Sequence, residues 1–352
     1  MIWAIMTCRR RAHGLSASVV LTALTLSTAC AGGPAGPPPP ASPVVDAVVV
    51  AGPVCQPGAE RTEVAFPDAA LERAVRATLG ATPDDPLTCG RLAEVTRLHA
   101  VDAGISDLSG IENLVRLGEL HVYGHNSIRD VAPLAQLTAL SDLNLARNQI
   151  ADVTHLAALR TLTSLDLYGN PVRDVAPLGG LTGLVRVRIG SGVELTNLEA
   201  LAALTRLSRL ELVDDAVANL DALASLTQLT RLSLQNNAHL TDLTPLAGLA
   251  NLEILELGMT SVSDISPIGG LPRLTTLGLA GTRVSDLGPL MGVFGLTRLD
   301  LRGDMLVSDV QPLLFHPAFG AGDSVRLEGS GVSCTDVAAL EAKGVVVIST
   351  CR

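Results

Sequence analysis

With 352 residues and 47% apolar side chains the chain can bury a sizeable core, yet only 2% of it is aromatic, so Leu, Val, Ile and Ala must build that core. Acidic residues outnumber Lys and Arg by 35 to 25, and the resulting net charge of −10 argues against a nucleic-acid partner. Such a composition favours thin, repeated layers over one interior anchored by large rings.

The chain opens with a charged cluster, Arg9, Arg10 and Arg11, followed by an apolar stretch of twelve residues from Leu15 to Leu26. A hydrocarbon core about 30 Å thick needs roughly twenty helical residues, so the segment reads as an export signal over 1–29 and not as a membrane span. It ends in Leu26-Ser27-Thr28-Ala29-Cys30, which resembles the lipobox of bacterial lipoproteins, although Ser27 stands where that family usually has Leu. The resemblance implies acylation of Cys30 and a lipid tether to a membrane. Ala31 after the cysteine resembles sorting to an outer membrane or cell surface. Plain secretion, with cleavage after Ala29 or Ala31, is the alternative. Removing 1–29 takes three of the 25 basic residues and none of the 35 acids, leaving a net charge of −13.

Residues 30–61 form a Pro- and Gly-rich tether that includes Gly36-Pro37-Pro38-Pro39-Pro40 and has no apolar period. In 62–94 the pattern becomes helical: Leu71, Ala74, Val75, Thr78 and Leu79 share one face, Asp68 can cap the start and Gly80 the end. A second short helix is expected from Thr88. Cys8 leaves with the signal and Cys30 is the lipid candidate, so Cys55, Cys89, Cys334 and Cys351 remain. Four cysteines allow three pairings, and their placement at the two ends of the chain favours Cys55 with Cys89 and Cys334 with Cys351.

From Val95 a unit of 22 residues, occasionally 23, recurs ten times, over 95–317. Copies start at Val95, Leu117, Leu140, Leu162, Leu184, Leu207, Leu229, Leu252, Leu274 and Leu296. That period is too short for two packed helices but holds a short strand, a turn and an irregular return, so stacked copies make a solenoid. Pro133, Pro177, Pro245, Pro267, Pro289 and Pro312 sit in the return and favour 3₁₀ turns over a long α-helix. Asp107, Asp130, Asp152, Asp174, Asp242, Asp264, Asp286 and Asp309 recur where a carboxylate can cap that turn.

These residues resemble the internalin-like class of leucine-rich repeats, over roughly Phe66 to Cys351. The resemblance implies an α/β solenoid: a horseshoe with a parallel concave sheet, a 3₁₀ or irregular convex side, a helical N-terminal cap and, over 318–352, a C-terminal cap with a final strand at Val345 to Ile348. It also implies an Asn in each turn that bonds to the neighbouring coil. Asn126, Asn148, Asn170 and Asn237 keep it, while Ala103, Asp215, Thr260, Thr282 and Asp304 hold the slot elsewhere. The repeat from Leu184, with Gly190, Gly192 and an extra residue, is expected to be the least regular.

Residues alternating with the strand leucines face the concave side in three columns. Together these hold seven Arg against six acids, so this face does not share the acidity of the whole chain. Arg186, Arg209 and Arg231 are expected on successive strands about 4.8 Å apart, with Glu211 relieving part of their repulsion. The chain has two tyrosines, Tyr123 and Tyr168, and both fall in the third column. Tyr and Arg are enriched at binding hot spots. The expected ligand-binding patch is therefore Glu119, His121, Tyr123, Asp142, Asn144, Asp166, Tyr168, Arg186, Arg188, Arg209 and Arg231. A solvated sheet face with incidental side chains is the alternative.

His99 and His121 share a column on neighbouring strands, but the sequence supplies no evident third ligand, so no metal and no cofactor is expected. His125, His155, His239 and His316 read as turn or back-face residues. No nucleophile elbow, phosphate loop or zinc-protease helix occurs, and an open sheet gives little means of shifting carboxyl pKa values, so catalysis is not expected. The expected function is extracytoplasmic protein recognition through the concave face. The rival is an envelope or adhesion component that binds glycan or cell-wall polymer, which the scarcity of aromatic rings disfavours.

Overall fold

A computed structural model describes residues 55–351. The predicted signal segment, Cys30 and the tether up to residue 54 lie outside the described residues. Among the described residues, one sheet runs in strict chain order: β1 (Arg97–His99), β2 (Glu119–His121), β3 (Asp142–Asn144), β4 (Ser164–Asp166), β5 (Arg186–Ile189), β6 (Arg209–Leu212), β7 (Arg231–Ser233), β8 (Ile254–Glu256), β9 (Thr276–Gly278), β10 (Arg298–Asp300), β11 (Ser324–Arg326) and β12 (Val346–Ile348). Every neighbouring pair is parallel, so equivalent residues of successive coils stand side by side: Leu120 beside Leu98 and Leu143, Leu210 beside Val187 and Leu232. The alternation of the sequence sets which residue points inward. Central residues of β1 to β11, from Leu98 to Val325, are at most 2% exposed. Burial of each such side chain contributes roughly 1.5–3 kcal/mol, so a register slip would turn a whole row of leucines into solvent.

The return side of most coils is a 3₁₀ turn, as in Ala132–Gln136, Thr154–Ala158 and Ala176–Gly180, with a proline in the first turn of several. All eight recurring aspartates do the same thing. Each Oδ1 accepts the N–H two residues on, at 2.7–2.8 Å, as Asp130 does from Ala132 and Asp152 from Thr154. Each thereby satisfies a donor at the start of a turn too short to satisfy itself. The returns after β10 and β11 are α-helical, α3 (Gln311–Phe315) and α4 (Cys334–Ala342), and the N-terminal cap supplies α1 (Ala69–Leu79) and α2 (Cys89–Leu92).

α1 starts at Asp68, whose Oδ1 accepts from Ala70 and Leu71, and stops at Gly80 in the left-handed conformation. Its buried face is Ala70, Leu71 and Val75. Thr78, expected on that face, is exposed and returns its hydroxyl to the Ala74 carbonyl. A disulfide joins Cys55 to Cys89, and the Cys55 N–H donates to Asn113 Oδ1, which ties the cap to the first coil. At the other end a second disulfide joins Cys334 to Cys351 across α4 (Cys334–Ala342). The C-terminal region holds two strands where the sequence suggested one. Val325 follows Leu299 by 26 residues instead of 22, so β11 falls out of the period although it stays in register with β10.

Between coils runs a ladder of buried amides. Asn148 Nδ2 donates to the Val122 and Leu145 carbonyls at 2.8 and 2.9 Å, while its Oδ1 accepts from the Ile128 N–H. Asn126, Asn170 and Asn237 repeat the pattern. Thr260 keeps one such bond, to the Leu257 carbonyl at 2.7 Å. Asp215 and Asp304 occupy the same slot but have no proton to donate when ionised, and each leaves its Oδ2 without a partner among the described residues. Burial pushes the Asp215 carboxyl up to about 7 and that of Asp304 up to about 6.

Candidate binding face of the concave sheet

The predicted patch resolves into three parts along the inner sheet. At its N-terminal end Glu119 lies among His99, His121 and Arg97: Oε1 is 2.7 Å from His99 Nε2, and Oε2 is 3.4 Å from Arg97 Nε. The bond from His99 holds the Glu119 carboxyl below the ordinary carboxylate range. Asp142 Oδ1 approaches His121 Nε2 from the next strand at 3.4 Å.

The central part is a hollow of about 550 Å³ lined by Tyr123, Tyr168, Asn144, Asp166 and Arg188 of the predicted residues, together with Ala146, Gly124, Asp102, His125 and Arg147. Its origin is simple. Tyr123 and Tyr168 stand in the same column two strands apart, about 10 Å by strand spacing, and small Ala146 between them leaves the space open. Arg188 forms the floor. Its guanidinium stacks over the Tyr168 ring at 4.1 Å and lies between Asp166, at 3.6 Å, and Glu211, at 3.0 Å. The Glu211 contact is one of charge, because the angle at Arg188 Nε does not suit a hydrogen bond.

This corrects one expectation. Glu211 does not relieve the arginine column; the register sets it beside Arg188 in the middle column. Arg186, Arg209 and Arg231 do align on β5, β6 and β7. All three are exposed, and none has an ion-pair partner among the described residues. They form the third part, a positive strip that begins on β5, the strand that also carries Arg188 of the hollow.

Sequence reasoning missed Asp102, His125 and Arg147. They lie in the loops that leave β1, β2 and β3, and the backbone there is informative. The turn after each of β1 to β4 and β6 to β10 holds a left-handed residue, Gly124, Gly169, Gly281 and Gly303 in four coils and Asp102, Arg147 (φ 57°), Asp214, Asn236 and Met259 in the others. A long side chain at such a position costs about 1–2 kcal/mol. Asp and Asn tolerate that conformation better than Arg does, and Arg147 lines the hollow, so a long cation in this slot was the signal available in the sequence. His125 is a turn residue as expected, but it also lines the hollow, with Nδ1 2.8 Å from Asp102 Oδ1. The bonds from the His125 backbone and ring keep the Asp102 carboxyl below its ordinary range.

At the C-terminal end charges are paired within their own coils. Arg302 bonds to Asp300 at 2.6 Å, and Arg326 to Glu328 at 2.9 Å. This stretch therefore offers less free charge than the strip on β5 to β7. Among the described residues no helix is long and apolar enough to cross a membrane.

A family model described as leucine-rich repeats, two copies, matches residues 227–270. A search of curated protein sequences found no match. Among solved structures, the chain is similar to the internalin InlF of Listeria monocytogenes, with 26% identity and a TM-score of 0.70 over 81% of this chain and 90% of that one. The plant peptide hormone receptor RGFR1, solved in complex with RGF2, matches at 15% identity and a TM-score of 0.54, over 72% of this chain and 48% of the receptor, which is a likeness of fold alone. Internalin C2 of Listeria monocytogenes matches at 33% identity with a TM-score of 0.56, over 61% of this chain and 94% of its own length. With that identity across nearly the whole of internalin C2, and with parallel strands joined by 3₁₀ returns in its own sheet, the chain belongs to the internalin-like family of leucine-rich-repeat proteins.

Proposed function

We propose that this chain is an exported, lipid-anchored recognition module that binds another protein through its concave sheet. The observation that carries the reading is the hollow between Tyr123 and Tyr168 beside the unpaired strip of Arg186, Arg209 and Arg231. Aromatic rings with adjacent guanidinium groups are the side chains that anchor protein interfaces. The tyrosines take up an apolar or planar side chain of the partner, and the arginine strip receives its carboxylates. Export is supported by the N-terminal sequence and by two disulfides, which persist in oxidising compartments. The anchor is Cys30, in the lipobox-like run before the tether.

Binding is tested by capturing partners from envelope extracts with the wild type and with a Tyr123→Ala, Tyr168→Ala, Arg209→Ala variant. Loss of hot-spot residues is expected to weaken a protein partner by about 30-fold or more. Unchanged capture would remove the patch from the account, and recovery of polysaccharide without protein would favour the glycan reading. The anchor is tested separately: Cys30→Ser is expected to release the protein from membranes into the soluble fraction.

A further inference from the structure

His99 and His121 stand directly opposite each other on β1 and β2, with their rings 4.6 Å apart and 7° from parallel. The third donor that the sequence did not reveal is Glu119, two residues before His121 on the same strand. Its Oε1 is 2.7 Å from His99 Nε2 and 3.8 Å from His121 Nε2. One ligand atom from each of the three residues lies within 4.8 Å of the others. A tetrahedral ion with bonds of about 2.0–2.1 Å needs donors about 3.4 Å apart, a value between the two separations from Oε1. The geometry points to a binding site for a divalent transition metal of the zinc class at His99, Glu119 and His121.

Three features support the assignment. The donors sit on two adjacent strands whose register is fixed by a long row of buried leucines, so their backbone positions are set before any ion arrives. Arg97 lies on the far oxygen of Glu119, Oε2, which leaves Oε1 turned toward the histidines. Two imidazoles and one carboxylate form a donor set suited to Zn²⁺, Ni²⁺ or Cu²⁺, whereas Mg²⁺ and Ca²⁺ take oxygen donors. The in-plane lone pairs of parallel rings do not meet at one point, so binding requires rotation of at least one ring. The His99 side chain, 52% exposed, has the room. Arg97, 75% exposed, can swing from the incoming charge into solvent.

Three protein donors leave one or two coordination positions open. These face the concave groove, where water or a side chain from another molecule completes the shell. Asp142 Oδ1, 3.4 Å from His121 Nε2, is the carboxylate of the next strand at this edge of the site and adds negative charge to it.

The test uses the untagged full chain and Zn²⁺ alone, followed by calorimetry, with Co²⁺ absorption to report the donor set. The expected result is one ion per chain, with affinity lowered about tenfold or more by His99→Ala, His121→Ala or Glu119→Gln and unchanged by His239→Ala, which removes an exposed histidine of a distant turn. Excess Mg²⁺ is expected not to compete. Absence of Zn²⁺ binding, or binding undiminished in the His99→Ala, His121→Ala double variant, would overturn the assignment. Since the ion is the only probe, the outcome is independent of whether the concave face binds a protein.

Discussion

Replacing Asp215 by Asn restores to one coil the donor that its neighbours use. Asp215 is fully buried in the ladder slot, accepts only a long bond of 3.3 Å from the Ser191 N–H, and leaves Oδ2 unpartnered. Burial raises its carboxyl from 3.8 to about 7. The native state therefore holds a proton that the unfolded chain has lost between those two values, and stability falls as pH rises through that window and is flat above it. At 1.36 kcal/mol per tenfold change, the full penalty at pH 8 is at most about 4 kcal/mol, and about 2–3 kcal/mol of it is absent at pH 5. An Asn side chain carries no such penalty and can donate to the Leu212 carbonyl, as Asn237 does to that of Leu234. Asp215→Asn is expected to stabilise the chain by about 2–4 kcal/mol at pH 8, by urea denaturation followed by circular dichroism, with the advantage narrowing markedly at pH 5. Asp304 keeps a weaker slope of the same sign in both proteins, because its carboxyl is also raised, to about 6. A variant less stable than wild type at pH 8, or an advantage that does not change with pH, would refute the reasoning.

Three further outcomes follow from particular residues. Opening the Cys55–Cys89 bridge, which spans 34 positions, by Cys55→Ser with Cys89→Ser is expected to cost about 3–4 kcal/mol, seen as early loss of hydrogen-exchange protection in α1 and β1. Gly190→Ala is expected to destabilise the coil of β5 by about 2 kcal/mol or more, because an added Cβ runs into the Val213 carbonyl oxygen at a backbone φ of 154°; a melting temperature equal to wild type would contradict this. Arg147→Gly is expected to raise stability by about 1 kcal/mol while weakening partner binding, and a gain in stability with binding intact would separate the strained arginine from function.

Much of the fold was legible because a 22-residue period admits few architectures. The strand leucines, the return prolines and the turn aspartates each announced their place, and the structure puts all eight aspartates in one hydrogen-bonding role. β11 escaped because α3 and its loop lengthen the preceding coil to 26 residues. The columns of the concave face were equally readable, since strand alternation decides them. Contacts between columns were not. Glu119 leans diagonally from the first column to His99 in the middle one, and Glu211 turns to Arg188 instead of to the arginines beside it. Those choices depend on side-chain reach across neighbouring strands, which no single repeat encodes. The hollow was hidden for a related reason: it arises from the small size of Ala146 between two tyrosines and from loop residues outside the strands.

The central claim, that the concave sheet is the binding surface, is tested most directly by site-specific photo-crosslinking on intact cells. A benzophenone amino acid in place of Tyr123 sits at the hollow, and one in place of His155 sits on the exposed return side of a nearby coil. A discrete crosslinked protein is expected from position 123, lost when Arg209→Ala is added, and none from position 155. Crosslinking from position 155 with none from position 123 would contradict it.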